Sequence, residues 1–215
     1  MHDFFNDALA QTRMLLSTTE LKGETVIDAT AGNGKDTLFL AQLVGENGMV
    51  YAFDIQKEAL NTTEKILQLN NISWCKTIHD SHEELDQYNI NQPMAVVFNL
   101  GYLPGGNHDI ITKPLSTLTG IKNALNMLKV GGILTVVIYT GHEGGKEEEE
   151  ILKNHFNSLP RNFDVLQAIP FNCFKNAPYL IAVRKARGLF YEVEKTAQNK
   201  GIDRRLFNGD AGAVS

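Results

Sequence analysis

Two aspartates flank a short glycine loop in the segment VIDATAGNGKDT, residues 26–37. Asp28 closes a hydrophobic run, Gly32 and Gly34 follow it, and Asp36 comes directly after the loop. Glycines at this spacing let the backbone turn tightly and approach a ligand that a Cβ atom would exclude. Carboxylates on both sides of the loop indicate a ligand that carries positive charge.

Three classes of cofactor use loops of this kind, and the sequence separates them. A phosphate-binding P-loop needs Gly-x-x-x-x-Gly-Lys-Ser/Thr, but Ala29 stands at the first glycine and Asp36 at the hydroxyl position. The dinucleotide fingerprint G-x-G-x-x-G has Thr37 at its third glycine, and the Asp36 carboxylate would repel a pyrophosphate. S-adenosylmethionine carries no phosphate and presents an ammonium and a sulfonium cation, so the sequence favours it.

Polar residues after the predicted strands extend this cofactor site. Asp28 is expected to attract the ammonium group, directly or through water, and Asp36 to cap the helix that follows the loop. Asp54 ends the second strand, where an acid binds the ribose hydroxyl pair of an adenosine. After the third strand, a side-chain acceptor in the Asp-Ser-His segment 80–82 is expected to hold the adenine amino group.

The elements that carry these residues alternate between strands and helices. Apolar spacing predicts helices at residues 36–44, 57–70, 113–128 and 146–157. Short apolar, β-branched runs predict strands at residues 25–30, 49–55, 73–78, 93–101, 132–140, 164–171 and 179–184. Repeated β-α units imply an α/β, Rossmann-like sheet of seven mostly parallel strands, with the last pair as an antiparallel hairpin at its edge.

Composition limits the class of protein. The 215 residues, 43% of them hydrophobic, include no run of about 18 apolar residues, so a soluble cytoplasmic protein is expected. A net charge of -5 disfavours a general polyanion binder but leaves room for a local basic patch. Cys75 and Cys173 lack CxxC spacing and nearby histidines, which disfavours a metal site or a disulfide. The four glutamates at 147–150 are expected to begin a helix and face water.

A second polar feature, NLGYLPGGNH at residues 99–108, follows the fourth predicted strand. Asn99 directly after the apolar AVVF is costly unless its amide is used. The segment resembles the Asn/Asp-Pro-Pro-Tyr loop of amino-directed methyltransferases, in which the Asn side chain and adjacent carbonyls accept hydrogen bonds from the target amine. Here it reads Asn99-Leu100-Gly101-Tyr102, so the two prolines are absent and the resemblance is partial.

Read together, DATAGNGKDTLFLA, FDIQ, FNLGYLPGG, the TKP helix start and VIYTGHEGG resemble one family of small bacterial proteins described as rRNA methylases. Its characterised members are MnmM-type tRNA methyltransferases, which methylate the amino nitrogen of 5-aminomethyl-2-thiouridine at the wobble position. The resemblance runs from about residue 25 to residue 187, which predicts a methyltransferase domain at 1–187 and a tail of uncertain structure at 188–215. It implies the class I S-adenosylmethionine-dependent fold, a tRNA anticodon stem-loop as substrate and a homodimer, without a metal or a membrane.

The same resemblance assigns the site residues. The cofactor-binding positions that it implies are Asp28, Thr30, Gly32, Gly34, Asp36, Thr37, Asp54, Gln56, Asn99, Leu100 and Gly101. Their neighbours Asn33 and Ile55, and the segment Asp80, Ser81 and His82 after the third strand, complete the predicted cofactor site. The implied catalytic positions, which face the substrate base, are Asn99, Tyr102, Tyr139 and His142. An aromatic such as Tyr102 or Tyr139 would stack on the unpaired wobble base.

Deprotonation of the target amine is the chemical problem, since an alkyl amine is largely protonated at neutral pH. Two routes are open. His142 could act as a general base, or Asn99 and backbone carbonyls could favour the neutral amine in a dry pocket while solvent takes the proton. We prefer the second route, because nothing in the sequence fixes the distance of the histidine.

Contacts outside the pocket are also predicted. The N-terminal segment should pack against the sheet through a helical stripe of Phe4, Phe5, Ala8, Leu9 and Leu15. The candidate phosphate partners in RNA are Arg13, Lys113, Lys175 and Arg184.

The sequence leaves other functions open. The alternatives are methylation of rRNA or of a small amine, an NAD-dependent oxidoreductase, and a nucleotide-binding module without catalysis.

Overall fold

Seven apolar segments form the strands of one sheet in the computed structural model, which describes residue 5 and residues 7–101, 112–141, 144–169 and 177–186. The strands are β1 (Thr25–Asp28), β2 (Met49–Asp54), β3 (Cys75–His79), β4 (Ala95–Asn99), β5 (Ile133–Ile138), β6 (Phe163–Ala168) and β7 (Tyr179–Lys185). The helices are α1 (Ala8–Ser17), α2 (Lys35–Val44), α3 (Lys57–Leu69), α4 (Pro114–Met127) and α5 (Gly145–Asn157). The predictions for Tyr102, His142, Cys173, Lys175 and the tail at 188–215 lie outside the described residues.

The strands are ordered β3-β2-β1-β4-β5-β7-β6. β1 pairs in parallel with β2 on one side and β4 on the other, so the strand order reverses beside β1. β7 is antiparallel to β5 and to β6. The predicted doubly wound sheet and its antiparallel hairpin are confirmed, with the antiparallel strand β7 lying one position inside the edge strand β6.

Both faces of the central strands are buried, as the continuous apolar run in β4 predicts. Val96 and Phe98 face the side that α4 and α5 cover, where they join one hydrophobic cluster. Ala95 and Val97 alternate to the other side and join a second cluster with Leu16 of α1 and residues of α2. This double burial fixes the level at which β4 ends, and therefore where Asn99 leaves the sheet.

Helix α1 packs against the sheet beside β5 and β7, as predicted, with Ala8 buried and Leu15 partly buried against the core. Of the rest of the predicted stripe, Phe4 lies outside the described residues and Phe5 is mostly exposed. The Asp7 side chain caps the helix by accepting hydrogen bonds from the backbone N–H groups of Leu9 and Ala10. Because the cap starts the helix at Ala8, Phe5 precedes it and is 75% exposed. The buried face consists of Ala8, Gln11, Thr12 and Leu16. No helix within the described ranges is long and apolar enough to cross a membrane.

The glutamate run does begin a helix, but the expectation that all four side chains face water is wrong. Glu148 is 1% exposed. Its carboxylate accepts hydrogen bonds from Thr117 Oγ1 at 2.7 Å and from Thr112 Oγ1 at 3.1 Å. The Thr112 hydroxyl in turn accepts from the backbone N–H of Gly101 at 3.1 Å. Glu148 therefore links α5 to α4 and to the segment that follows β4, a contact that the local pattern of four acids does not reveal.

Glu148→Ala is expected to lower the free energy of unfolding by about 2 kcal/mol, because the buried Thr117 hydroxyl loses its acceptor. Urea denaturation would measure the change. Glu150→Ala, on the exposed side of the same helix, is the matched control and is expected to change stability by about 0.5 kcal/mol or less. Equal effects of the two substitutions would contradict a structural role for Glu148.

Candidate active site

A cavity of about 960 Å³ lies at the carboxyl ends of the parallel strands, beside the point where the strand order reverses. Ligands bind at this edge in open α/β sheets. Most of the predicted cofactor residues line it, namely Thr30, Gly32, Asn33, Asp36, Asp54, Ile55, Gln56, Asp80, Ser81, His82, Asn99, Leu100 and Gly101. Its volume is at the upper end of the usual range for ligand pockets, about 300–1,000 Å³.

Three predicted cofactor residues, Asp28, Gly34 and Thr37, lie outside the lining of this cavity. Asp28 is 0% exposed, so the direct contact with an ammonium group that the sequence suggested is not open to it. Its carboxylate accepts from Thr37 Oγ1 at 2.6 Å and from the backbone N–H of Thr30 at 3.2 Å. Burial, together with a smaller effect of the charge of Asp36, raises the pKa of Asp28 to about 7. Asp28 thus holds the loop from beneath.

The loop also depends on α3. Gly34 has φ of 77°, in the left-handed region, and a Cβ atom there would lie 2.8 Å from the Cα of Thr63. The Thr63 hydroxyl donates a hydrogen bond to the carbonyl of Gly32 at 3.2 Å. Glycine is required at position 34 for two reasons, the backbone angle and the close approach of the helix.

Asp54, the acid predicted to bind the ribose, accepts a backbone hydrogen bond at each of its carboxylate oxygens. Oδ2 accepts from the backbone N–H of Gly32 at 2.8 Å, and Oδ1 accepts from that of Gln56 at 2.8 Å. Burial raises the pKa of Asp54, while these two hydrogen bonds lower it. Each oxygen keeps a further lone pair, so the carboxylate can accept from a vicinal diol as the sequence analysis expects.

The segment after β3 offers acceptors on the far side of Asp54. Asp80 accepts from the backbone N–H of Ser81 at 2.8 Å and from the hydroxyl of Tyr88 at 2.7 Å. Nε2 of His82 is buried and has no hydrogen-bond partner among the described residues. Burial lowers the pKa of His82, so its ring is neutral near pH 7. His82 lines the cavity, but this buried nitrogen is not exposed to it, which leaves Asp80 and Ser81 as the side-chain acceptors of the segment.

Asp36 does not cap its helix, which corrects the prediction. Gly34 occupies the cap position and α2 begins at Lys35, so Asp36 lies within the first turn. Its side chain turns towards the cavity instead. Oδ1 accepts from Arg13 Nη2 at 3.0 Å, and Oδ2 accepts from Asn99 Nδ2 at 3.3 Å. Arg13 is therefore engaged by a carboxylate inside the site, and its role as a phosphate partner stays a prediction.

Asn99 is held at its backbone as well as at its amide. Its backbone N–H donates to Thr30 Oγ1 at 2.7 Å, which joins the end of β4 to the glycine loop. The contact between Asn99 Nδ2 and Asp36 fixes which way the amide faces, because a carboxylate only accepts hydrogen bonds. The carbonyl oxygen of Asn99 therefore points away from Asp36 and is a candidate acceptor in the cavity.

The other predicted substrate contacts divide between two ends of the sheet. Tyr139 and Lys113 line the cavity. Arg184 instead lies opposite Ile133, the first residue of β5, and so at the end of the sheet away from the cavity. Its guanidinium is paired with Asp164 at 2.6 Å. Arg184 cannot contact a nucleotide that is bound in the cavity.

The cavity includes residues that the sequence analysis missed. They are Leu9, Ala29, Ala31, Lys35, Glu83, Thr112, Pro114, Leu115, Ser116 and Glu147. Several of them begin helices α2, α4 and α5, each of which follows a parallel strand that ends at this edge. The alternation of strands and helices could have identified these residues, because the first turn of such a helix lies beside the carboxyl end of the preceding strand.

Asp28→Asn should remove a pH dependence of folding. The pKa of Asp28 rises from 3.8 to about 7 in the folded protein, so the folded state binds more protons than the unfolded state between these values. Wild-type stability relative to the variant should therefore fall from pH 4 to pH 7, by at most about 1.4 kcal/mol per pH unit, and level off above. Urea denaturation across this range measures the difference; a constant difference would contradict the burial effect.

Gly34→Ala should weaken both folding and cofactor binding, because the added Cβ displaces Thr63 and the loop that α3 supports. Gly23→Ala is a matched control, since Gly23 has the same φ of 77° with nothing within 4 Å of the added atom. Backbone strain alone costs about 1–2 kcal/mol in the control. We expect a larger loss at Gly34, together with weaker S-adenosylhomocysteine binding by calorimetry that Gly23→Ala does not show.

Comparison with known proteins places the chain among methyltransferases. A protein-family profile described as "Putative rRNA methylase" matches residues 50–184. A solved structure of the same description from Clostridium thermocellum is 40% identical, with a TM-score of 0.81 over 83% of this chain and 97% of that one. A methyltransferase structure from Streptococcus mutans in complex with SAH is 35% identical, with a TM-score of 0.76 over 86% of this chain and 99% of that one.

A plant protein, the chloroplastic tRNA (mnm(5)s(2)U34)-methyltransferase of Arabidopsis thaliana, is 42% identical over 151 residues. The match covers 65% of this chain and 55% of the plant protein, so the chain spans about half the length of that relative. The profile match over most of the chain and the similarity along nearly the full length of two bacterial structures agree with each other. The chain therefore belongs to the rRNA methylase family, and the resemblance that its sequence motifs indicated is confirmed.

Proposed function

We propose that this chain is an S-adenosylmethionine-dependent tRNA methyltransferase. Its substrate would be the wobble nucleotide 5-aminomethyl-2-thiouridine in the anticodon stem-loop, and its product 5-methylaminomethyl-2-thiouridine. The observation that carries this proposal is the orientation of Asn99, whose amide N–H group faces Asp36 while its carbonyl oxygen is directed elsewhere in a cavity lined by the cofactor loop. A fixed acceptor at this place suits an amine that must present its lone pair to a methyl group.

The comparisons support the cofactor and the class of substrate. The Streptococcus mutans relative was crystallised with SAH, and the plant relative is named for methylation of a modified wobble uridine. Asp54 and Asp80, which both line the cavity, fit the ribose and adenine of such a cofactor. Asp36 beside the loop disfavours the pyrophosphate of NAD, which weakens the oxidoreductase alternative.

The bound cofactor would supply an activated methyl group on a sulfonium centre. The task of the chain is then to align an unprotonated amine, which by itself accounts for a large part of the rate enhancement in such reactions. Asn99 Oδ1 would accept a hydrogen bond from the amine N–H and so direct the nitrogen lone pair. Tyr139, which lines the same cavity, would contact the base.

Loss of the proton from the amine follows from the surroundings of the site. The cavity lining includes the buried apolar residues Ala29 and Leu100, and an apolar lining disfavours the charged ammonium form. An alkyl ammonium can release its proton to solvent as it enters such a pocket. We prefer this route to proton removal by a general base.

That the chain forms a homodimer is a separate prediction.

Transfer of labelled methyl from S-adenosylmethionine to bulk tRNA that lacks the terminal wobble methyl tests the proposal. Ribosomal RNA and a reaction without RNA are the controls, and nucleoside analysis identifies the product. Label in 5-methylaminomethyl-2-thiouridine is the expected result. Label in rRNA alone would overturn the substrate, and label in neither RNA would point to a small-molecule amine.

Asn99→Ala should abolish most methyl transfer and leave cofactor binding near normal. The substitution removes the acceptor that aligns the amine, and misalignment at a reacting centre costs about a hundredfold in rate. Single-turnover transfer and S-adenosylhomocysteine calorimetry measure the two effects separately. Asn61→Ala, on the exposed side of α3, is the matched control and should retain full activity. Retained turnover in Asn99→Ala would remove Asn99 from the catalytic role.

A further inference from the structure

We propose that Arg13 and Asp36 act as a positioning pair that sets the orientation of the Asn99 amide. The geometric part of this inference depends only on the contacts among the three side chains, whereas its catalytic consequence rests on the proposed function. Arg13 comes from α1, outside the 50–184 segment that the family profile matches. Neither residue would touch the reacting atoms, so both would act through Asn99.

The Asn99 side chain has a choice between two amide orientations. The side-chain amide of an asparagine can present either its oxygen or its NH₂ group to a neighbour, and these two orientations have nearly the same shape. Asp36 Oδ2 lies 3.3 Å from Asn99 Nδ2. Only the NH₂ group can bond to an ionised carboxylate, since the amide oxygen would be repelled. A charged Asp36 therefore selects the orientation in which the Asn99 oxygen is left to accept from the amine.

Asp36 is itself held in place by Arg13. Arg13 Nη2 donates to Asp36 Oδ1 at 3.0 Å, so the two carboxylate oxygens are divided between Arg13 and Asn99. The guanidinium also lies 5.4 Å from the ring centroid of Phe39, one turn further along α2. Asp36 is only 19% exposed at its side chain, so the ion pair is partly shielded from solvent. Arg13 therefore fixes the rotamer of Asp36.

Helix α1 supports Arg13. The helix is capped by Asp7 and buries Ala8 and Leu16 against the sheet, which gives Arg13 a fixed base. Asn99 is itself held by its backbone N–H on Thr30 Oγ1 at 2.7 Å. With backbone and amide both constrained, the carbonyl oxygen of Asn99 has one direction in the cavity. The N-terminal helix is thereby part of the site and not only a cover of the sheet.

The main test compares Arg13→Gln, Arg13→Lys and Asp36→Asn. Asp36→Asn keeps the shape but allows position 36 to donate to the Asn99 oxygen, so kcat for methyl transfer should fall by about tenfold or more. Arg13→Gln should lower kcat by several-fold, and Arg13→Lys, which keeps a cation for Asp36, should restore most of it. For the two Arg13 variants, KM for RNA and S-adenosylhomocysteine affinity should stay near the wild-type values. Lys129→Gln breaks an ion pair of similar exposure with Glu24 outside the site and is the matched control.

A double-mutant cycle identifies the residue through which Arg13 acts. If Arg13 acts through Asn99, Arg13→Gln should cause no further loss of kcat in the Asn99→Ala background. An additive loss would overturn the proposal, because Arg13 would then act elsewhere. A rise in KM for RNA without a change in kcat would also overturn it and make Arg13 a phosphate contact.

A spectroscopic measurement tests the geometry without any substrate. In protein labelled with ¹⁵N at asparagine, the side-chain resonances of Asn99 are those missing from the Asn99→Ala spectrum. They should shift in Asp36→Asn and in Arg13→Gln, and stay in place in Lys129→Gln. Unmoved resonances in Asp36→Asn would overturn the proposal even if the enzyme is active. Shifted resonances in a protein that methylates no tested RNA would uphold the positioning pair and reject the proposed function.

Discussion

Parallel pairing of β1 with β2 on one side and β4 on the other is the constraint on which the site depends. It brings the ends of three strands, with Asp28, Asp54 and Asn99, to one edge of the sheet, and the helices that follow begin around them. Burial of β4 on both faces fixes the level at which Asn99 leaves the sheet. A change in strand register would move all these groups together.

Buried polar groups hold the loops that the strands alone do not fix. Asp28 accepts hydrogen bonds from Thr30 and Thr37 beneath the glycine loop. Glu148 accepts from Thr112 and Thr117, and Thr112 in turn accepts from the backbone N–H of Gly101. Such groups are costly to bury unless they are hydrogen-bonded, so each one strongly favours a single arrangement of its neighbours. The glycine loop and the described residues Gly101 and Thr112 thus each have a buried support of their own.

The acidic side chains near the glycine loop have two different roles, since some support the loop and others face the cavity. Asp28 lies under the loop with a pKa raised to about 7 by burial, while Asp36 faces the cavity and is paired with Arg13. Asp54 keeps lone pairs towards the cavity although both its oxygens accept backbone hydrogen bonds. A cavity with this lining suits a cationic, phosphate-free cofactor, and it leaves Asn99 as a neutral acceptor beside it.

The sequence by itself determined the α/β alternation, the glycine loop and the acids at the strand ends, because apolar periodicity and glycine spacing are local properties. Most predicted cofactor residues line the cavity for that reason. Only the tertiary structure decided which acids face it, since Asp28 and Glu148 are buried by elements distant in sequence. Likewise, the pairing of Arg13 with Asp36 depends on how α1 packs against the sheet, and no local pattern encodes a contact across 23 residues.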